Sequence, residues 1–176
     1  MSYFIYFNDP ELVIDITGID DLVLSPAPIT IEEIDPIICH NVFTVDKIFN
    51  TVAESGFYIY RRNEEGVIVG LVTMTDYPIP GNHMMEITFI CVAESARGTG
   101  SGLIIKVKEL ARRYNLPVTL YGLATTKGST DLYLKHKFIE NKFTVSHGRK
   151  TKRKRKGKRK SKRKGKKVRR FELVIR

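Results

Sequence analysis

The spacing of apolar positions changes period along the chain, and each change marks a set of elements. Residues 1–29 alternate apolar and acidic patches and are closed by Pro26 and Pro28, which predicts extended chain with short strands around 4–7 and 12–16. From Thr30 the spacing turns helical. Thr30 precedes Glu32 and Glu33, then Ile34, Ile37 and Ile38, a capped helix start, and a second helical piece over 45–53 ends at Glu54-Ser55-Gly56. The period then falls to two. Residues 57–60 and 67–74 read as strands joined by a hairpin loop over 61–66. After a turn at 77–82, residues 84–92 form a long, mostly apolar strand of the kind found at the centre of a sheet. Beyond a glycine-rich stretch, Leu103, Val107, Leu110, Ala111 and Tyr114 recur on one face of a helix over 103–115, with Lys106, Glu109 and Arg113 off that face. Leu116-Pro117 stops it. A strand over 118–123 and a short helix over 129–136 follow, the latter with Ser129 as candidate N-cap and Asp131 near its positive end. Residues 138–145 and 171–176 are again strand-like. This order of strands and helices predicts a mixed α/β sheet.

Charge divides the chain differently. Of 30 Lys and Arg, 17 fall within 149–170, where there is no Asp or Glu; the remainder carries 13 basic against 19 acidic residues, a net of −6 in a chain whose total is +11. An acidic globule thus bears a strongly basic segment. Its core repeats a four-residue unit at Lys154-Arg155-Lys156-Gly157, Lys158-Arg159-Lys160-Ser161 and Lys162-Arg163-Lys164-Gly165. Dense like charge without apolar content holds no fold, so 149–170 is expected to be disordered, either a long loop between two late strands or part of a tail. Its natural partners are polyanions: DNA or RNA, chromatin, or anionic lipid, and nucleic acid would be bound without sequence preference because no aromatic is interleaved for stacking. The same run would serve as a nuclear localisation signal in a eukaryotic host.

An apolar content of 42% over the whole chain supports one domain, 1–148 plus 171–176. No stretch has the uncharged apolar length of a membrane span, and the first residues lack a basic and apolar signal pattern, so an intracellular protein is expected. Two cysteines, Cys39 and Cys91, exclude a disulfide scaffold and give no spacing for structural zinc.

Two features carry chemistry. Glu86 is the one charge in the apolar strand over 84–92, so it is paired, faces a cleft, or sits at a solvated strand end. The stretch Arg97-Gly98-Thr99-Gly100-Ser101-Gly102 joins that strand to a helix, and glycines before a helix N-terminus let backbone N–H groups approach phosphate. It is no Walker loop, lacking Gly-Lys-Ser/Thr, and no dinucleotide fingerprint, because Leu103 stands where the last glycine would be.

The spacing R-x-x-G-x-G, at Arg97, Gly100 and Gly102, resembles the GNAT superfamily of acetyl-CoA-dependent N-acetyltransferases, in which Q/R-x-x-G-x-G/A opens a helix and cradles the coenzyme pyrophosphate. Leu132-Tyr133-Leu134-Lys135-His136-Lys137-Phe138 is similar to the family's F/L-Y-x-x-x-G-F segment, with Lys137 in place of glycine. Glu86 stands eleven residues before Arg97, as the base glutamate does in the histone-acetylating branch. The likeness covers about 45–145. It implies a mostly antiparallel central sheet flanked by helices, acetyl-CoA as cosubstrate and no metal. It further implies Glu86 as general base, Tyr133 as general acid and a backbone N–H near Ile90 as oxyanion donor. Ile90, Cys91 and Val92 would run beside the pantetheine arm, and Arg97, Gly98, Thr99, Gly100, Ser101 and Gly102 would hold the pyrophosphate. Cys91 is no nucleophile, since no histidine is placed to activate it. The expected acceptor is a lysine of a histone or other basic tail, including the chain's own run. A polyamine drawn by Asp9, Glu11, Asp15, Asp20 and Asp21 is the alternative, and a catalytically inactive module that binds coenzyme A or nucleic acid is the third possibility.

Overall fold

The computed structural model describes residues 2–12, 14–114, 117–141 and 168–176. Among these residues eight strands form one sheet: β1 (Tyr3–Phe7), β2 (Leu22–Leu24), β3 (Phe57–Arg62), β4 (Ile68–Ile79), β5 (Asn82–Val92), β6 (Val118–Ala124), β7 (Ile139–Asn141) and β8 (Arg169–Ile175). Their order is β2-β1-β3-β4-β5-β6-β8-β7. The β1/β2 and β5/β6 pairs are parallel and the others antiparallel, the mixed, mostly antiparallel sheet expected from the sequence. Three α-helices of the described residues flank it: α1 (Val45–Glu54), α2 (Thr99–Ala111) and α3 (Lys127–Lys135).

Each face of the sheet carries a core. On one, Leu103, Ile104, Val107 and Leu110 of α2 and Tyr133 of α3 pack on Phe57, Val72, Met85, Ile87, Leu120 and Phe171. On the other, Ile48 and Val52 of α1 join Ile34 and Ile38 over Tyr58, Tyr60, Ile68 and Leu71. Each fully buried side chain of this size contributes about 1.5–3 kcal/mol. The second cover stops at β5. Beyond it the same face bears half-buried Glu86, Tyr121 and Glu172 and exposed Leu123 and Val174.

Several local expectations are corrected. Among the described residues of 12–16 no strand forms, because the Asp9 and Asp15 carboxylates accept from the N–H groups of Glu11 (2.9 Å) and Thr17 (2.8 Å) and turn the chain. The second strand is β2. Thr30 does open a capping box with Glu33, whose Oε2 accepts from Thr30 N at 2.7 Å. The helix it opens is only the 3₁₀ turn Ile31–Glu33, and a second such turn spans Ile38–Asn41. Pro36 disfavours helical backbone at Asp35 and separates the two. α2 begins at Thr99, so most of the glycine-rich stretch is its first turn rather than a preceding loop. α3 is capped by Thr126, not Ser129: Thr126 Oγ1 accepts from Ser129 N at 3.1 Å. Lys106, expected on the solvent side, is buried, because the chain before β2 lies along α2. Its Nζ donates to Asp20 O and to Glu109 Oε2 (2.9 Å), and Arg113 Nη2 donates to Thr17 O (2.7 Å).

The two late strands pair antiparallel as a long hairpin, but β8 inserts between β6 and β7. Arg169 and Arg170, assigned to the basic run, belong to β8. The rest of the run, through 167, and residues 142–145 of the expected strand lie outside the described residues.

Candidate active site

The two parallel strands at the sheet centre pair from His83↔Val118 to Ile87↔Gly122 and no further, although β5 runs on to Val92 and β6 to Ala124. A bulge accompanies the parting. Thr73 of β4 faces Phe89 and Met74 faces Ile87, which leaves Thr88 as the extra residue, its Oγ1 2.7 Å from Thr73 Oγ1. Ala93 N donates to Val69 O (2.8 Å) and Cys91 stands opposite Leu71. Antiparallel alternation therefore turns the N–H and C=O groups of Ile90 and Val92 away from β4, into the gap beside β6. A strand edge left unpaired in this way can bond an extended ligand with amides of its own.

Gly98 caps the N-terminus of α2 with φ +92°, a conformation that favours glycine. The first-turn amides of a helix have no intrahelical acceptor and carry the positive end of its dipole, which suits a pyrophosphate. Between this turn, the gap and α3 lies a cavity of about 830 Å³. Of the residues singled out in the sequence, Ile90, Cys91, Val92, Arg97, Gly98, Gly100, Ser101 and Tyr133 line it. Thr99 and Gly102 do not. Thr99 is buried against Gly70 and its Oγ1 accepts from Arg61 Nη1 at 2.5 Å, while Gly102 backs onto the Tyr3 ring. None of Asp9, Glu11, Asp15, Asp20 and Asp21 reaches the cavity.

Tyr133 is buried within α3, its ring stacked on Phe171 (5.3 Å between centroids) and tilted against Phe138 (5.1 Å). Gly122 of β6 leaves the space its phenol occupies. Burial pushes that phenol well above its ordinary pKa, so it stays protonated at neutral pH, as a proton donor must. Glu86 does not line the cavity. It lies one residue before lining Ile87 and on the opposite strand face, in register with Thr75 and Tyr121, while Tyr121 is in register with Glu172. Arg170 covers the Tyr121 ring at 4.4 Å.

Other lining residues escaped the sequence reading: Cys39, Phe43, Phe89, Thr126 and Lys135. Lys135 Nζ donates to Ser101 Oγ (3.2 Å), which brings a cation from the last turn of α3 to the first turn of α2. Phe43 packs edge-on against Phe89 at 5.3 Å. Cys39 and Cys91 meet in a disulfide with Cα atoms 5.0 Å apart, a pairing across 52 residues that no local signal announces. Among the described residues no group of His, Cys, Asp and Glu is placed to hold a metal ion, and no helix is long and apolar enough to cross a membrane.

The sequence profile of the acetyltransferase (GNAT) family matches residues 26–138. No curated protein is matched by the sequence. Among solved structures, Naa50 of Arabidopsis thaliana, in complex with the bisubstrate analogue CoA-Ac-MVNAL, is 16% identical; the match covers 80% of this chain and 89% of that one at a TM-score of 0.53. Ard1 of Thermoplasma volcanium is 17% identical, with 82% and 90% covered and a TM-score of 0.51. A phosphinothricin acetyltransferase of Sinorhizobium meliloti, in complex with acetyl-CoA, is 13% identical, with 77% and 72% covered and a TM-score of 0.50. The unpaired edge of β5, the amides opening α2 and the buried phenol between them suit an acetyl-CoA thioester, and with the family match over most of the chain they establish that the protein belongs to the acetyltransferase (GNAT) family and uses acetyl-CoA as its acetyl donor.

Proposed function

We propose that the protein acetylates lysine side chains of basic protein tails, its own run at 149–170 among them. The observation that carries this is where that run is tethered. In sequence the run lies between β7, which ends at Asn141, and β8, and Arg170 of β8 pairs with Asn141 on one side and with Leu123 on the other. Leu123 lines the cavity. A lysine-rich segment tied at the cavity mouth meets the thioester at high effective concentration. The face not covered by α1 supports a cationic acceptor, because Glu86, Tyr121 and Glu172 form a row across three adjacent strands there.

In this reading Glu86 takes a proton from the acceptor ammonium, directly or through a water, since an amine with pKa near 10 is otherwise no nucleophile at neutral pH. The Ile90 N–H, facing the gap, receives the negative charge that develops on the thioester oxygen. Tyr133 hands its proton to the departing sulfur. Arg97, the α2 amides and Lys135 hold the phosphates. The basic run also binds nucleic acid without sequence preference, which keeps the enzyme near basic nucleic-acid-bound proteins and implies a nuclear location in a eukaryotic cell.

The test is intact-mass spectrometry with and without acetyl-CoA, beside thiol release with a histone tail peptide or spermidine as acceptor. Stepwise acetyl gains on 149–167 and thiol release with the peptide are expected. Glu86→Gln should lower kcat by about 10²–10⁴ with the acetyl-CoA KM nearly unchanged. Thiol release with spermidine alone would replace this reading by a small-amine acetyltransferase. No thiol and no mass gain, with coenzyme still bound, would make the protein a binding module. Removing 149–167 spares β8, and should abolish DNA retention at low salt while leaving turnover on a peptide acceptor.

A further inference from the structure

We infer that Cys39 and Cys91 form a thiol-exchange site for coenzyme A, at which the free coenzyme thiol opens their disulfide and remains bonded to Cys91. This rests on the coenzyme occupying the cavity, not on the acceptor proposed above.

Three observations place the exchange there. Both cysteines line the coenzyme cavity, and Cys91 stands between Ile90 and Val92, whose backbone groups face the gap where an extended ligand would lie. Each is only 7% exposed, so a thiol reaches the pair by way of the cavity rather than from bulk solvent. Their Cα separation of 5.0 Å falls within the ~4.4–6.8 Å range of disulfides, so the pair can close again after opening. The two partners differ in anchorage. Cys91 belongs to the central strand β5, whereas Cys39 sits in the short 3₁₀ turn Ile38–Asn41 at the cavity wall. The turn is the side able to withdraw, which makes Cys39 the leaving group.

The acetyl transfer itself supplies the reagent, because every turnover releases coenzyme A as a free thiol. Its thiolate attacks Sγ of Cys91. A new bond forms between the coenzyme sulfur and Cys91, the Cys39–Cys91 bond breaks, and Cys39 leaves as a thiolate that takes up the proton the coenzyme thiol gave up. Neither net oxidant nor reductant is consumed. The reverse step, attack of Cys39 on Cys91, expels the coenzyme thiol and restores the disulfide. While the mixed disulfide lasts, the tethered coenzyme fills the cavity and excludes acetyl-CoA. The site thus reads the ratio of free to acetylated coenzyme.

The full-length protein in its disulfide form is incubated with coenzyme A, with glutathione, or with coenzyme A plus excess acetyl-CoA. It is then quenched in acid and measured by non-reducing intact mass and peptic mapping. A gain of one coenzyme A on the Cys91 peptide is expected, at a rate that saturates with coenzyme concentration. That rate should exceed the glutathione rate by about tenfold or more, as binding in the cavity would give, and acetyl-CoA should suppress it. Cys39→Ser, which lacks the resolving thiol, should take one coenzyme A from coenzyme A disulfide and keep it. Equal rates with glutathione, an adduct on Cys39, no suppression by acetyl-CoA, or no stable adduct in Cys39→Ser would each overturn the inference. Calorimetric titration with acetyl-CoA separates the two ways of finding no adduct. Binding without exchange overturns this inference alone, whereas no binding removes the coenzyme reading with it.

Discussion

Gly122→Ala tests how the sheet positions the proposed acid. A Cβ on Gly122 would stand 2.5 Å from Tyr133 Cζ, 2.6 Å from its phenolic oxygen and 2.7 Å from Cε1, all closer than real Cβ contacts. The ring, held between Phe171 and Phe138 with 1% of its surface exposed, can give way only by disturbing that packing. Overpacking of this kind costs about 1–3 kcal/mol, which should appear as a lower urea midpoint at unchanged slope. The displaced ring also carries the phenol out of the cavity, so kcat should fall toward the loss for Tyr133→Phe, about 10²–10⁴ for a missing acid. The acetyl-CoA KM should hold in both variants, because Ile90, Val92 and the first turn of α2 are untouched. The decisive measurement is the double variant. If Gly122→Ala acts through the phenol, adding it to Tyr133→Phe lowers stability but costs no further kcat. Losses of kcat that multiply in the double variant, or a single Gly122→Ala variant that is destabilised yet fully active, would refute the reasoning.

Three further outcomes are expected. Lys137 holds φ +66° at the end of α3, where Lys137 N donates to Leu134 O and Phe138 N to Tyr133 O (both 3.0 Å); Lys137→Gly should remove about 1 kcal/mol of strain and raise the melting temperature by roughly 2–4 °C, and an unchanged or lower value would refute it. Arg61→Ala takes away the donor that fixes Thr99 at the start of α2, so the acetyl-CoA KM should rise about tenfold with kcat little changed, Arg61→Lys should recover part of it, and Thr99→Val should add nothing to Arg61→Ala. Burial, and then the charges of Lys108 and Lys135, hold His136 below its ordinary pKa, and its Nε2 is buried without a partner. The unfolded state therefore binds the proton more tightly, so the stability this imidazole contributes is present above pH 6.5 and is lost as pH falls below it. Urea midpoints between pH 7.5 and 5.5 should drop less for His136→Gln than for the parent, and equal drops would contradict the assignment.

The central strands and α2 were legible because their signals are local. Period-two runs broken by Gly and Pro marked β3 to β6, and apolar residues at 103, 107, 110 and 111 marked the buried face of the helix. Where nonlocal bonds decide, the reading failed. Nothing in residues 9–24 says that they lie along α2, since what holds them is Lys106 reaching Asp20 and Arg113 reaching Thr17, some 86 and 96 residues away. The Thr30–Glu33 box is a true start signal, but it announces where a helix begins and not how far it runs, and Pro36 ends it within a turn. Lys137 shows the reverse case. A lysine disfavours the left-handed conformation at a helix end, yet the bonds of Lys137 N and Phe138 N to the last turn of α3 hold it there.

The same distinction applies within the site. Ile90, Cys91, Val92, Arg97, Gly98, Gly100 and Ser101 could be found because they lie close together in sequence, on one strand and the start of the helix after it. Cys39, Phe43 and Lys135 come from the 3₁₀ turn Ile38–Asn41, the link between it and α1, and α3, and only the tertiary fold brings them to β5. Glu86 falls between these cases. Its charge in an apolar strand flagged a cleft, a partner or solvent, and deciding among them required knowing which face of β5 the helices cover. That information was present elsewhere in the sequence, unused. Tyr121 and Leu123 in β6, and Arg170, Glu172 and Val174 in β8, put polar or exposed side chains at every second position, while their alternates Leu120, Gly122, Phe171 and Ile175 are buried. Two neighbouring strands with the same alternation predict a sheet face without helical cover, and a carboxylate in register with that face on the next strand belongs to the uncovered face rather than to the sealed core.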